Sequence, residues 1–302
     1  MSTHDIAIIG VSFEFPGVKD LEGFWNGLSE GRCFYHCEPS EVDHTVPAWG
    51  SVEDVRGFDY RFFGYSYKEA CCMDPQHRLL LQHSWHAMED AGYMNRDALP
   101  VTGVYASASL NQYLFHNLHG QMDAGSEDEV VIGNTHDFLA TRLAYKLNLT
   151  GPALNIQCGC SSALAGIHEA RVALLTKQCD LALVAAVSLS APHDQGYPRE
   201  QEGIRSGDGY IRPFDSKASG TVFTNGVAAL VLKRYDEACR AGDRILGVIA
   251  ASAINNDGAQ KASFTAPAVK SQAQVISKAH KLAKVDPRHL VLVEAHGTGT
   301  AL

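Results

Sequence analysis

The chain has 302 residues, of which 45% are hydrophobic and 20% charged, and its formal net charge is -9. A chain of this length and composition can bury a large core. Its Lys and Arg residues form no basic run, which argues against a nucleic-acid surface. The longest apolar runs, such as residues 181–187, fall far below the ~20 residues that a membrane span needs.

The amino terminus and the cysteines indicate a cytoplasmic protein. Residues 1–5 lack the basic and apolar regions of a secretory signal peptide. Eight cysteines in 302 residues are too few for a disulfide scaffold, so we expect free thiols. A loosely metal-like spacing occurs at Cys33, His36, Cys37 and His44. The second half of a zinc pattern is missing, so the sequence predicts no metal site.

Short apolar segments alternate with helix-like segments, a pattern typical of an α/β protein with a mostly parallel sheet. Residues 6–10 predict a buried strand that ends in glycine. The spacing of Gly10 and Gly17 does not match the dinucleotide-binding fingerprint, which disfavours nucleotide binding. Residues 79–89 predict a helix of mixed faces that Gly92 closes.

Cys160 lies where a predicted strand meets a predicted helix. Residues 153–157 follow the turn Gly151-Pro152 and predict the strand, and residues 161–177 predict a helix with one buried side. The positive end of that helix dipole favours a thiolate by only about 0.3–1 kcal/mol when exposed, so activation must also draw on an imidazole. Cys160 is the candidate nucleophile and Cys158 the weaker one; a buried structural thiol is the alternative.

The candidate imidazole is His296, in a glycine-rich loop. Residues 290–293 predict a buried strand, and residues 294–300 leave it. There His296 can donate a hydrogen bond to a developing negative charge, and Thr298 and Thr300 can bind a polar substrate arm. A cysteine paired with a distant histidine indicates thioester chemistry, because a thiolate attacks acyl carbons and a donor steadies the oxyanion.

A set of short motifs occurs in a specific order along the chain. They are Phe15-Pro16-Gly17, Phe24-Trp25, Met73-Asp74-Pro75-Gln76 with Arg78-Leu79-Leu80-Leu81, Gly151-Pro152, Cys160-Ser161-Ser162, Arg212-Pro213-Phe214-Asp215, Asn255-Asn256-Asp257-Gly258 and His296-Gly297-Thr298-Gly299-Thr300. Because these motifs occur in this order, the chain resembles the β-ketoacyl synthase domain of modular polyketide synthases. The resemblance extends from residue 5 to residue 302. Gly133-Asn134, followed by residues 137–142, and residues 220–223 resemble the hybrid or trans-acyltransferase type.

The resemblance implies a thiolase-like α/β fold. In that fold two similar βαβαβ halves make a five-layered α/β/α/β/α core, usually in a homodimer. Residues 1–302 would be a single ketosynthase domain, truncated, with residues 1–242 as the N-terminal half that carries the nucleophile. Residues 243–302 would only begin the C-terminal half, so the second half is incomplete in this chain. The strand before Cys160 would pair across the dimer axis.

The resemblance also implies an acyltransferase of the β-ketoacyl synthase type. Cys160 would take the acyl chain from the phosphopantetheine arm of an acyl carrier protein, with no cofactor bound to the chain itself. His296 would be one of two histidines that promote decarboxylation of a malonyl-type extender and stabilise its enolate for a Claisen condensation. Thr298 and Thr300 would hydrogen-bond the phosphopantetheine arm, and the Cys160 amide would form half of the oxyanion hole.

The chain departs from the family pattern in several places. Cys158-Gly159 stands where Thr-Ala is common, Ala163 replaces a serine, and Tyr67 stands where proline is common. The family continues well past residue 302, with a lysine, the second histidine and a glycine-rich loop. The chain is therefore a fragment of a longer polypeptide, a natural split completed by a C-terminal segment, or a degenerate protein. A non-catalytic partner subunit and acyl transfer without condensation are the alternatives to a condensing enzyme.

Overall fold

The computed structural model of the chain describes residues 4–38, 44–94, 98–118, 127–199 and 203–300. Among them the strands are β1 (Ile6–Glu14), β2 (His36–Cys37), β3 (Thr45–Val46), β4 (Ala48–Trp49), β5 (Thr102–Ala108), β6 (Ala153–Asn155), β7 (Leu181–Ser188), β8 (Tyr197–Pro198), β9 (Gly226–Arg234) and β10 (Gly247–Ile249). The α-helices are α1 (Leu21–Ser29), α2 (Tyr67–Cys72), α3 (Pro75–Asp90), α4 (Glu127–Asn134), α5 (Leu139–Leu147), α6 (Ser162–Leu175), α7 (Tyr235–Ala241) and α8 (Val269–Ala283). Shorter helical turns span Leu114–Leu118, His136–Phe138 and Pro287–His289.

Six of these strands form one sheet in the order β10-β1-β9-β7-β5-β6. Strand β5 runs parallel to β6 and β7, whereas β9 is antiparallel to both β7 and β1, and β1 is antiparallel to β10. The expectation of a mostly parallel sheet is wrong for the described residues. Ser188 at the end of β7 pairs with Gly226 at the start of β9, so the chain returns at the same end of the sheet, and a parallel pair would need a crossover.

Helices cover both faces of this sheet. On one face α3 and α5 pack over a large apolar cluster that includes Leu80, Met88 and Leu143. On the other face α6 packs over a smaller cluster that includes Leu174 and Leu232. Alternate residues of a strand point to opposite faces, so a strand that is buried on both faces is apolar along its length, as β7 is from Leu181 to Val187.

Gly10 is where β1 passes under α3. A Cβ atom there would collide with the Ala87 carbonyl oxygen and lie 2.7 Å from the Ala91 Cβ. The pairing of β1 with β9 also shifts by one residue between Ile8 and Gly10. The absence of a side chain at Gly10 therefore sets how closely α3 approaches the sheet.

We expect Gly10→Val to lower the free energy of unfolding by about 1–3 kcal/mol, because overpacking forces the helix and the sheet apart. Chemical denaturation followed by circular dichroism measures the change. Gly247→Val is the matched control, since the atom nearest to its added Cβ is the Ile8 Cδ1 at 3.8 Å, an ordinary contact. Equal midpoints for the two variants would contradict the tight packing at Gly10.

Residues 290–293 do not form the buried strand that the sequence predicts. Val291, Leu292 and Val293 are 100%, 76% and 75% exposed, and their segment belongs to none of the strands in the described part of the chain. A strand is stable only when neighbouring strands take up its backbone hydrogen bonds and one of its faces is covered. No neighbouring strand lies beside this segment within the described ranges.

Candidate active site

Cys160 lies in a tight turn between the edge strand β6 and helix α6. Gly159 has φ +61, a left-handed conformation that glycine adopts without strain. Ser161 is the N-cap residue of α6, so Cys160 directly precedes the helix terminus with its free N–H groups. The thiol of Cys160 is free and the residue is exposed. The turn thus presents a reactive type of side chain at the positive end of a helix.

Serine hydroxyls hold this turn in shape. Ser162, which is 8% exposed, accepts a hydrogen bond from the Cys158 N–H at 2.8 Å and donates one to the Gly159 carbonyl at 2.7 Å. Ser161 Oγ donates to the Cys158 carbonyl at 2.9 Å. The backbone before Cys160 is therefore tied to the first turn of α6.

Cys160 opens into a cavity of about 830 Å³. The cavity lies at the carboxyl ends of the parallel strands β5 and β7, where open α/β sheets place their ligands. Its apolar walls come from Phe15, Ala108, Leu110, Ala163, Ala186, Val187, Phe223, Val227 and Ala228. A largely apolar cavity next to a thiol suits an acyl chain attached through a thioester.

His136 lines the same cavity, and the sequence did not single it out. Its Nε2 lies 2.9 Å from the carbonyl oxygen of Ser109, which also lines the cavity. Asn155, the last residue of β6, donates from Nδ2 to the His136 carbonyl and accepts from the Ala140 N–H at 3.0 Å. One sequence feature could have pointed to His136 as a site residue. It is a polar residue inside the motif that runs from Gly133-Asn134 to Asp137.

A buried polar network supports Ser109. The Oε1 of Gln76, a residue 1% exposed, accepts from the Ser109 N–H at 3.1 Å and from Ser109 Oγ at 2.7 Å. Gln76 Nε2 donates to the Ser109 carbonyl at 3.2 Å and to Asp74 Oδ2 at 3.0 Å. Burial raises the pKa of Asp74 and outweighs the hydrogen bonds from Gln76, which lower it. Burial likewise lowers the pKa of the neighbouring His77 to about 3.

The loop that carries His296 lies against the segment of residues 212–220. The Gly220 N–H donates to the Gly299 carbonyl at 2.8 Å, and a Cβ atom added to Gly299, which has φ +65, would lie 3.0 Å from the Arg212 backbone nitrogen. Thr298 and Thr300 place their hydroxyls 3.4 Å apart. His296 is exposed, and the described residues that line the cavity of Cys160 include none of these three side chains.

The loosely metal-like cluster is not brought together as a site. His36 Nε2 lies 2.9 Å from Glu38 Oε1, and the His36 ring packs on the Trp49 ring with centroids 4.3 Å apart. Over the described ranges, no group of three or more His, Cys, Asp or Glu is placed to hold a metal ion. None of the helices in that part of the chain is long and apolar enough to cross a membrane.

Family models match almost the whole chain. Residues 3–238 match the N-terminal domain of β-ketoacyl synthases, and residues 246–302 match their C-terminal domain. The chain is 40% identical to a phenolphthiocerol/phthiocerol polyketide synthase from Mycobacterium tuberculosis, covering 98% of this chain and 21% of that protein. It is 38% identical to the polyketide synthase PksN of Bacillus subtilis, covering 98% of this chain and 6% of that protein.

Solved ketosynthases share the fold. Ketosynthase twelve of the bacillaene polyketide synthase from Bacillus amyloliquefaciens superimposes with a TM-score of 0.92 at 36% identity, over 99% of this chain and 54% of that one. The ketosynthase from module 1 of the bacillaene synthase of the same species gives 0.89 at 39% identity, over 99% and 55%. The chain thus spans about half the length of these ketosynthases.

These matches define a thiolase-like α/β protein of a transferase-type enzyme family. The chain belongs to the β-ketoacyl synthase family, in the group found in modular polyketide synthases. The family resemblance and the fold class that the sequence predicts are confirmed.

We expect Ser162→Ala to slow thioester formation on Cys160 several-fold. The substitution removes the hydroxyl that links the Cys158 N–H to the Gly159 carbonyl, and each such hydrogen bond contributes about 0.5–1.5 kcal/mol. Intact-protein mass spectrometry after addition of a simple acyl thioester gives the rate. In the control, Ser161→Ala, water can replace the bond that the exposed hydroxyl makes. A larger loss in S161A than in S162A would contradict the expected role of Ser162.

Proposed function

We propose that the chain is the acyl-accepting part of a ketosynthase that condenses a Cys160-bound acyl chain with a malonyl-type extender. The observation that carries the proposal is the position of Cys160, at the terminus of α6 and open to an apolar cavity. In the first step the Cys160 thiolate attacks the thioester carbonyl of an acyl carrier protein. The carbon–sulfur bond to the phosphopantetheine arm breaks, and the arm leaves as a thiol.

In the second step the extender loses carbon dioxide and becomes an enolate. The enolate carbon attacks the Cys160 thioester, the bond to Cys160 breaks, and a β-ketoacyl chain leaves on the carrier protein. The Cys160 N–H, at the start of α6, is the proposed half of an oxyanion hole for the tetrahedral intermediate. We assign to His296 a hydrogen bond to the developing enolate, which helps to promote the decarboxylation.

Thr298 and Thr300 are proposed to hydrogen-bond the phosphopantetheine arm. Their hydroxyls lie 3.4 Å apart on a loop that contains Gly297 and Gly299, both with positive φ. Two neighbouring hydroxyls suit an arm that carries amide donors and acceptors. The arm belongs to the acyl carrier protein, so no further cofactor is required on the chain itself.

The proposed assembly contains more than this chain. Residues 1–242 form the half that holds the nucleophile, and residues 243–302 begin a second half that a C-terminal complementing segment completes in cis or in trans. The exposed apolar residues Val291, Leu292 and Val293 support this, because such a run is usually covered. A homodimer through the edge strand β6 is proposed, since β6 has one neighbour in the described sheet.

A cytoplasmic location fits this proposal. All eight cysteines are free thiols in the structure, including the exposed Cys160. A thiol nucleophile persists in a reducing compartment, where disulfides are rare. The acidic chain and its scattered basic residues provide no reason to include a nucleic acid or a membrane among its partners.

The test follows mass on Cys160 and release of the condensed product. The protein is incubated with an acyl thioester and a malonyl-loaded carrier protein, with and without the C-terminal segment of a ketosynthase. We expect an acyl adduct on Cys160, and a β-ketoacyl carrier protein once the second histidine is supplied. A chain that never acquires the adduct would refute the proposal and fit a non-catalytic partner subunit.

If the Cys160 adduct forms but no β-ketoacyl product appears in any combination, acyl transfer without condensation is the function that remains. The exposed position of His296, away from the cavity lining, favours this second candidate for the chain by itself. Release of carbon dioxide from the extender separates the two functions further, because acyl transfer alone leaves the malonyl carboxylate in place.

A further inference from the structure

The lining of the cavity beside Cys160 is mainly apolar, but it also includes hydroxyl and amide side chains and one imidazole, that of His136. A polar group whose hydrogen-bonding role is fixed discriminates between substrates, because an unmatched group stays unpaired. The mechanism proposed above assigns no role to this side chain. His136 is therefore a candidate for a residue that determines which acyl chain the cavity accepts.

Its hydrogen bond fixes which ring nitrogen carries a proton. The carbonyl oxygen of Ser109 can only accept, so His136 Nε2 must donate across the 2.9 Å that separates them. In the neutral ring Nδ1 is then an acceptor with a lone pair. Within the described ranges of the chain no hydrogen bond reaches His136 Nδ1.

The orientation of the ring is held from both sides. Gln76 donates to the same Ser109 carbonyl at 3.2 Å and binds the Ser109 hydroxyl and N–H, so the acceptor of the His136 bond is itself fixed. Asn155 binds the backbone carbonyl of His136 and so ties it to the end of β6. A ring held in this way presents a preorganised acceptor, which loses little freedom when a ligand donates to it.

We propose that His136 is a specificity-determining residue whose Nδ1 accepts a hydrogen bond from a hydroxyl on the acyl chain, so that the cavity selects 3-hydroxyacyl chains. The proposal rests on the proposed ketosynthase function. Condensation leaves a ketone on carbon 3, and a ketone has no proton to donate to Nδ1. Reduction of that ketone by two electrons and two protons gives a 3-hydroxyl, which does. A ketone-reducing reaction must therefore supply the preferred substrate.

The test compares three acyl chains of equal length on the same protein. Butyryl, 3-hydroxybutyryl and 3-oxobutyryl thioesters of N-acetylcysteamine are added separately, and the rate of adduct formation on Cys160 is measured by intact mass. We expect the 3-hydroxy chain to react roughly three- to tenfold faster than the other two, the range that one net hydrogen bond supports. His136→Phe is expected to remove this preference while still accepting the butyryl chain.

His86→Phe is the matched control, since His86 lies on the exposed side of α3. It is expected to keep the preference of the unaltered protein. Equal rates for the three chains on the unaltered protein, or an unchanged preference in H136F, would overturn the role of His136 and leave the ketosynthase proposal intact. A preference for the 3-oxo chain would also overturn it, because that result requires a donor. Absence of any adduct would instead refute the proposed function.

Discussion

Replacement of Cys160 by alanine is expected to abolish thioester formation on the chain, with a loss of about 10³-fold or more. Cys160 is the cysteine that lines the apolar cavity in the described residues, and its turn is fixed to α6 by the Ser162 hydroxyl. Without the sulfur no other group at this position can form the adduct. Intact mass and peptide mapping after addition of an acyl thioester measure the effect.

Cys158→Ala is the matched control for that experiment. Cys158 is also an exposed free thiol, two residues from Cys160, but it does not line the cavity. Its substitution is expected to leave acylation within about twofold, since cavity access and helix position belong to Cys160. If C158A lost the adduct and C160A kept it, the assignment of the nucleophile would be wrong.

A second large effect is expected at Lys233, a buried cation of strand β9. Its Nζ lies 2.7 Å from Asp243 Oδ2 and 2.6 Å from the Tyr93 hydroxyl, and the Lys233 and Asp243 side chains are each 10% exposed. The contacts join β9 to the segments that follow α3 and α7. Lys233→Met leaves the Asp243 carboxylate buried without its cation, so we expect the free energy of unfolding to fall by about 3–5 kcal/mol.

Urea denaturation at pH 7 measures this loss. Burial opposes the charge on Lys233, but the hydrogen bonds with Asp243 and Tyr93 together outweigh it and raise the pKa of Lys233. A raised pKa means that the stabilisation is complete at neutral pH and is lost only as the pH rises through the folded-state pKa.

Arg240→Met is the control, because Arg240 pairs with Asp236 at 2.9 Å while both side chains are more than half exposed. Such a surface pair contributes about 1 kcal/mol or less. Equal losses in R240M and K233M would contradict the importance of burial at Lys233.

The local elements around Cys160 were predictable because they depend on short-range pattern. The strand predicted at residues 153–157 and the helix predicted at residues 161–177 are found at β6 and α6, each within two residues of the expected bounds. Residues 79–89 fall inside α3, and Gly92 follows it with φ +78. Turn chemistry and helical periodicity act over a few residues, so one sequence carries them.

Long-range pairing was not predictable in the same way. The apolar run of residues 290–293 has the composition of a buried strand, yet it is exposed. The direction of β9 relative to β7 depends on where a long connection returns, and no local pattern records that. The composition of a segment predicts that it prefers the strand conformation. The segment forms a strand only when a neighbouring strand pairs with its backbone.

The sequence by itself determined the family, the position of Cys160 at a strand-to-helix junction and the glycine-rich loop of His296, because these depend on residue identities in order along the chain. Only the tertiary structure decided that the sheet is mixed and that Cys160 shares its cavity with His136. It also decided that the Ser109 carbonyl orients the imidazole. The physical reason is that Ser109, His136 and Cys160 lie on different elements, which packing brings together at one end of the sheet and which no spacing in the sequence encodes.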